Sequence, residues 1–212
     1  MRTIDTERAA AAASLLRPVI DDPIEADGTG SVDRIRAQAA VTELLKALGR
    51  DPHSEHLADT PRRVTDAFIE QLRPKDFSPT TFPNTEGYDE LVLVRDIPFH
   101  SLCEHHLLPF QGVAHVGYLP GERLIGLSKL ARVVDFFSHD LQVQERLTRQ
   151  IANWIDSELD AVGAGVVIEA EHTCMTIRGI QARGALTITS TFTGALKERA
   201  DLRERFFRDG RR

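Results

Sequence analysis

The apolar period of this chain changes from helical to strand-like twice and returns to helical each time, and that order admits few folds. From Asp33, the positions Ile35, Ala39, Thr42, Leu45 and Leu48 recur every three or four residues and Gly49 follows as a stop, which predicts a helix. Thr60-Pro61 offers an N-cap and a proline at the first helical position, and Val64, Ala67, Phe68 and Leu72 form a stripe ahead of Pro74, predicting a second helix. Leu91 to Val94 and Val113 to Leu119 then read as strands, bounded by Pro98, Pro109, Gly112 and Pro120. Helical spacing returns at Leu127 to Phe137 and at Val143 to Leu159, Val166 to Ile168 and the alternation Leu186, Ile188, Ser190, Phe192 give two more strands, and Leu196 to Arg208 reads as a terminal helix. Two strand pairs bracketing a helix pair predict an α+β fold, an antiparallel sheet with helices on one face, preceded by an N-terminal helical segment.

Length and charge narrow the function. At 212 residues with 42% hydrophobic content the chain has material for one sizeable core. The expected organisation is a flexible arm over residues 1–31, where Pro18, Pro23, Gly28 and Gly30 interrupt any period. A single domain over residues 32–212 follows, with helices at 33–73 and the core at about 88–208. Twenty-six basic against thirty-two acidic residues give a net charge of -6, which argues against a broad basic surface for nucleic acid. An anionic ligand would need a local basic pocket. No apolar run resembles a signal peptide or a membrane span, so no membrane partner is expected and a cytoplasmic protein is.

In that compartment two cysteines are more readily metal-binding, catalytic or buried than disulfide-linked. Each has histidine beside it: Cys103 is followed by Glu104, His105 and His106, and Cys174 is preceded by His172. Zinc favours thiolate and imidazole in a tetrahedron, and a catalytic site keeps three protein ligands and one open position. Two cysteines and one histidine meet that need, with further histidines left to move protons. Two other readings stay open: buried apolar thiols beside backbone-bonded histidines, and a closed structural zinc site. The nucleobase-deaminase pattern, H-x-E followed by P-C-x-x-C, is absent.

A second constellation suits an anion. Gly126 to Arg132 opens a helix on which Ser128, Lys129 and Arg132 share a face, an arrangement fitted to phosphate, although on its own it reads first as a solvated face with a capping serine. Arg63 and Arg178 have the same status. Glu145, after Gln144 at the start of the next helix, either complements the helix dipole or accepts from the donors of a guanine edge.

Taken together, Ser101 to His106, Gly126 to Arg132, Gln142 to Leu147 and His172 to Cys174 resemble the GTP cyclohydrolase I family, over roughly residues 33 to 208. The resemblance implies the conversion of GTP and water to 7,8-dihydroneopterin triphosphate and formate, the entry step to folate-type pterins. It implies Cys103, His106 and Cys174 as ligands of Zn2+, and His105 and His172 as proton-transfer groups. Ser128 would lie near the ribose and phosphates, Lys129, Arg132, Arg178 and Arg63 on the triphosphate, and Gln144 and Glu145 in the guanine pocket. It also implies a tunnelling fold, with sheets joined in rings, two rings stacked as a homodecamer, and sites at subunit interfaces. Four strands that cannot close their own edges fit that assembly. Ala185 stands where the family pattern leads one to expect serine, which bears on substrate contacts near Arg183. A related enzyme acting on another guanine or deazaguanine compound, and a noncatalytic zinc-stabilised oligomer, are the competing readings.

Overall fold

A computed structural model describes residues 32–210; the expected arm over residues 1–31 lies outside the described residues. The chain divides between Arg73 and Pro74 into two compact units. In the first, helix α1 spans Arg34–Ala47 and α2 spans Thr60–Gln71. The Asp33 carboxylate accepts from the Arg36 N–H at 2.9 Å and starts α1. Gly49, at φ 71°, ends it as anticipated, its N–H on the Lys46 carbonyl at 2.9 Å. The cap of α2 is Asp59 rather than Thr60, which is already helical and is followed by Pro61 at the start of the first turn. Asp66 of α2 pairs with Arg34 of α1 and Asp59 with Arg63 at 3.3 Å, while Arg62 reaches both carboxylates. The apolar stripe of α1 is only partly covered, Thr42 and Leu45 being half-buried while Ile35, Ala39 and Leu48 remain exposed, because only α2 packs on it within this unit.

The second unit carries the sheet. Its strands are β1 (Thr81–Pro83), β2 (Val92–Cys103), β3 (Pro109–Leu119), β4 (Arg123–Ile125), β5 (Leu141–Gln142), β6 (Gly163–His172) and β7 (Thr187–Phe192). Between them lie α3 (Leu127–Ser138), α4 (Gln144–Leu159) and the single turn α5 (Thr173–Thr176), and α6 (Gly194–Glu198) and α7 (Ala200–Gly210) follow. Five strands form the main sheet in the order β5-β2-β3-β6-β7, and β1 pairs with β4 apart from it. The α+β class is as expected. The sheet is antiparallel except where β5 joins β2 in parallel at Leu102 and Cys103, a short strand that carries no sequence signal.

β2 is far longer than its apolar run. The register slips between Val94 and Ile97, where Asp96 has φ 57°, and this bulge returns Ile97, Phe99 and Cys103 to the face that Val92 and Val94 serve. Pro98 is tolerated within the strand because β5 covers the outer side of β2 only at its end. On the inner face, Phe110, Ala114, Val116 and Tyr118 of β3 and Ala164, Val166, Ile168 and Ala170 of β6 pack with Leu130, Val133 and Val134 of α3 and Leu147, Ile151 and Ile155 of α4. The terminal helix departs from the one-faced arrangement and breaks at Arg199 into α6 and α7. Phe206 of α7 lies against Gly117 and Gly165, whose missing side chains leave it room on the opposite face.

Candidate metal centre

The β3–β6 register decides which distant residues meet. Phe110 opposes His172, so the end of β6 arrives beside the turn joining β2 to β3. That turn is closed by the Cys103 N–H on the Leu108 carbonyl and the Leu107 N–H on the Cys103 carbonyl, both at 2.9 Å, with Leu107 at φ 55°. Cys103 is the last residue of β2 and is buried; the turn folds both following histidines back toward it, His106 Nδ1 at 3.8 Å and His105 Nδ1 at 3.9 Å from its Sγ. Cys174 comes from the single turn α5, anchored where Thr173 Oγ1 donates to the Pro109 carbonyl at 2.5 Å.

The ligand atoms of Cys103, His106 and Cys174 all lie within 4.8 Å of one another. Zinc bonds of about 2.3 Å to sulfur and about 2.0 Å to nitrogen in a tetrahedron require ligand atoms about 3.5 to 3.8 Å apart, so the trio fits with small adjustment. His106 is exposed and Cys174 half-buried, leaving an approach from solvent. Burial and the neighbouring Cys103 sulfur push the Cys174 thiol above its ordinary pKa, with Arg178 pulling weakly the other way. Two sulfurs this close ionise together only beside a cation, which is what a metal provides.

The remaining histidines differ in environment. His105 is exposed, its Nε2 3.8 Å from Glu104 Oε1. Glu104 Oε2 pairs with Arg146 Nη2 at 2.7 Å; Arg146 also bonds the Leu141 carbonyl and donates from Nε to Gln142 Oε1 at 3.1 Å. The Glu104 N–H reaches the Gln142 carbonyl at 3.0 Å, so the turn bearing His105 is tied to β5 at two points. His172 is half-buried, stacked on Phe110 with centroids 4.5 Å apart and planes 4° from parallel, and its Nε2 lies 2.7 Å from Gln144 Oε1. Burial lowers its pKa and the Glu145 charge partly restores it, which leaves a neutral imidazole at neutral pH.

Gln144 itself is 1% exposed, its amide engaged within the chain, whereas Glu145 is exposed in the first turn of α4. Ser128 does not cap α3, whose N-cap is Gly126 with no side-chain bond. No hydrogen bond or ion pair joins Ser128, Lys129 or Arg132 to the cysteine–histidine group among the described residues. Lys129, Arg132 and Arg178 make neither an ion pair nor a side-chain hydrogen bond among those residues, so three cations are free for an anion. Arg63 belongs to the helical unit, where it pairs with Asp59.

Comparison with known proteins decides the family. The sequence pattern of a family described as GTP cyclohydrolase I matches residues 37–211. The chain belongs to the GTP cyclohydrolase I family. It is 52% identical over 180 residues to a GTP cyclohydrolase 1 of Corynebacterium glutamicum, covering 82% of this chain and 92% of that one. It is 50% identical over 178 residues to a GTP cyclohydrolase 1 of Brucella abortus, covering 82% and 84%. Within this member of the GTP cyclohydrolase I family, sequence reasoning missed Phe110 and Arg146 as site-shaping residues, and the aromatic ring two residues into a strand gave no signal of a stacking partner. Gln144 did carry one: it shares the buried stripe of α4 with Leu147, Thr148 and Ile151, where a polar side chain needs an internal partner. Ala185 is exposed, in a segment where Gly179, Gln181 and Gly184 all have positive φ. Among the described residues no helix is long and apolar enough to cross a membrane.

Proposed function

We propose that this chain hydrolyses GTP to 7,8-dihydroneopterin triphosphate and formate with a zinc ion held by Cys103, His106 and Cys174. The observation that carries the reading is the convergence of those three ligand atoms, with His105 over the same sulfur and His172 at the adjoining strand end. Zinc bound there supplies the Lewis acidity that makes water nucleophilic near neutral pH. His105, exposed and steadied by Glu104, exchanges protons with the opening imidazole ring, and His172, neutral and clamped, takes up and returns a proton as formate leaves.

Lys129, Arg132 and Arg178, which make no ion pair or side-chain hydrogen bond among the described residues, supply the triphosphate contacts. Ser128 serves the ribose and phosphates, and Glu145 accepts from the guanine edge, with Gln144 beside it. Assembly as a homodecamer with interface sites is supported by the open edges of β2 and β7 and by exposed Leu107, Leu127, Ile177, Ile180 and Leu186 on the second unit. The location proposed with this reading is the cytoplasm. The test is incubation of zinc-loaded protein with GTP, followed by formate analysis and oxidation to a fluorescent pterin. Equal yields of both support the reading; their absence from zinc-loaded, assembled protein sinks it.

A further inference from the structure

We infer that Gln144 is a positioning residue that fixes His172 as its Nε2–H tautomer and leaves Nδ1 as the nitrogen that takes the proton. The inference rests on the reading of His172 as a proton-transfer group, and its argument starts from atoms that can play only one part. Gln144 Nε2 lies 3.1 Å from the Ile168 carbonyl and 3.0 Å from the Thr187 carbonyl. Both oxygens can only accept, so the atom facing them must be the N–H2 group and not the amide oxygen.

The third neighbour, Thr189 Oγ1 at 3.1 Å, is fixed in the same sense. Thr148 Oγ1 gives its one proton to the Gln144 backbone carbonyl at 2.7 Å, so in its 2.6 Å contact with Thr189 it must accept. The Thr189 proton is therefore spent on Thr148, and Thr189 accepts from Gln144. The two amide hydrogens serve three acceptors, so one is shared between neighbours, and the remaining directions are consistent: Thr189 donates to Thr148, and Thr148 to the carbonyl of Gln144.

With the amide nitrogen so committed, Gln144 Oε1 is the atom 2.7 Å from His172 Nε2. An amide oxygen cannot donate, so His172 Nε2 carries the hydrogen, and in the neutral ring the lone pair is at Nδ1. The Phe110 ring, stacked at 4.5 Å, keeps the imidazole in that plane. During turnover a proton passes from the reacting group to the Nδ1 lone pair, the imidazolium keeps its Nε2–H bond to Gln144, and the same proton leaves from Nδ1. Because the partner is a neutral amide and not a carboxylate, it orients the ring without making it a stronger base. Gln144 is thereby assigned inward, and the guanine edge is left to Glu145.

Zinc-loaded protein labelled with 15N-histidine, compared with a His172→Asn sample to assign the resonance, reports the tautomer directly. A pyrrole-type Nε2 and a pyridine-type Nδ1 are expected. Gln144→Met, which keeps the volume and removes the amide, should lose that preference and lower kcat about a hundredfold with KM for GTP and zinc content little changed. An Nδ1–H ring in the parent protein overturns the inference without any variant, as does an unchanged tautomer and kcat in Gln144→Met. Failure of the parent to consume GTP would instead overturn the proposed reaction, and the nitrogen shifts would still decide the tautomer.

Discussion

Replacing Gly112 by alanine tests the strand register that assembles the site. Gly112 lies in β3 opposite Ala170 of β6 and Phe99 of β2, one register pair of the same facing type away from the stacked Phe110 and His172. A Cβ there would sit 1.9 Å from the Glu169 carbonyl oxygen, 2.7 Å from Ala170 Cα and 2.8 Å from the Glu169 carbonyl carbon. All three are backbone atoms in the middle of the sheet, so no side-chain rotation relieves the overlap. A carbon–oxygen contact of about 3.3 Å requires β3 and β6 to part locally by more than about 1 Å. Overpacking costs about 1–3 kcal/mol, and a clash with a central backbone belongs at the upper end, about 3 kcal/mol. For a chain of this size each kcal/mol moves the melting temperature by about 2–4 °C, so Gly112→Ala should melt roughly 6–12 °C lower. Gly87→Ala is the control: φ is 64° but nothing lies within 4 Å of the added Cβ. Its expected cost is about 1 kcal/mol of left-handed backbone strain. Thermal unfolding of both variants by circular dichroism at one protein concentration reads the difference. A Gly112→Ala protein that melts no lower than Gly87→Ala would refute the register argument.

Asp140 is held above the ordinary carboxylate pKa mainly by burial, against the Leu141 N–H at 2.7 Å and the Arg146 charge. A raised folded-state pKa contributes stability below the unfolded value near 3.8, and that contribution is lost as pH rises through the folded value, so the ionised group costs the fold at neutral pH. Asp140→Asn keeps the acceptor for Leu141 and should raise the melting temperature at pH 7 by a few degrees, an advantage that shrinks below about pH 4; equal gains at both pH values would contradict the sign. Arg146→Met strips Glu104 of its 2.7 Å partner and the Leu141 carbonyl of a donor. Both side chains are about two-thirds or more buried, so about 1–2 kcal/mol of stability should go, with kcat falling because the turn carrying His105 is freed. Paired melting and turnover measurements check this, and a stable variant with full kcat would remove the network from the account.

The parts of the fold visible in the sequence are those where one period runs unbroken. Leu127 to Phe137 and Val143 to Leu159 bury single stripes on one sheet face, and both helices were readable to within a residue or two. β2 was not, because Arg95, Asp96, Pro98 and His100 interrupt the alternation and the bulge that repairs it is a backbone event. β7 shows how alternation can be right about the strand and silent about the side. Thr187 and Thr189 meet Gln144 of α4 through a carbonyl and a hydroxyl, while Ile188 joins Val113, His115, Val167 and Phe206 around a cavity of about 640 Å³ on the opposite face. For the site, the two cysteines were conspicuous because each has histidine next to it. What brings them together is the pairing of Phe110 with His172, a long-range register that no local pattern encodes. The same holds for Gln144, whose position on a buried stripe was legible but whose partners lie on β6 and β7.

Zinc-edge X-ray absorption on the zinc-loaded protein addresses the metal centre with the fewest intervening assumptions. The Cys103, His106 and Cys174 geometry predicts a four-coordinate ion with two sulfurs at about 2.3 Å and two nitrogen or oxygen neighbours at about 2.0 Å, one from His106 and one exchangeable. A first shell containing only nitrogen and oxygen would contradict it.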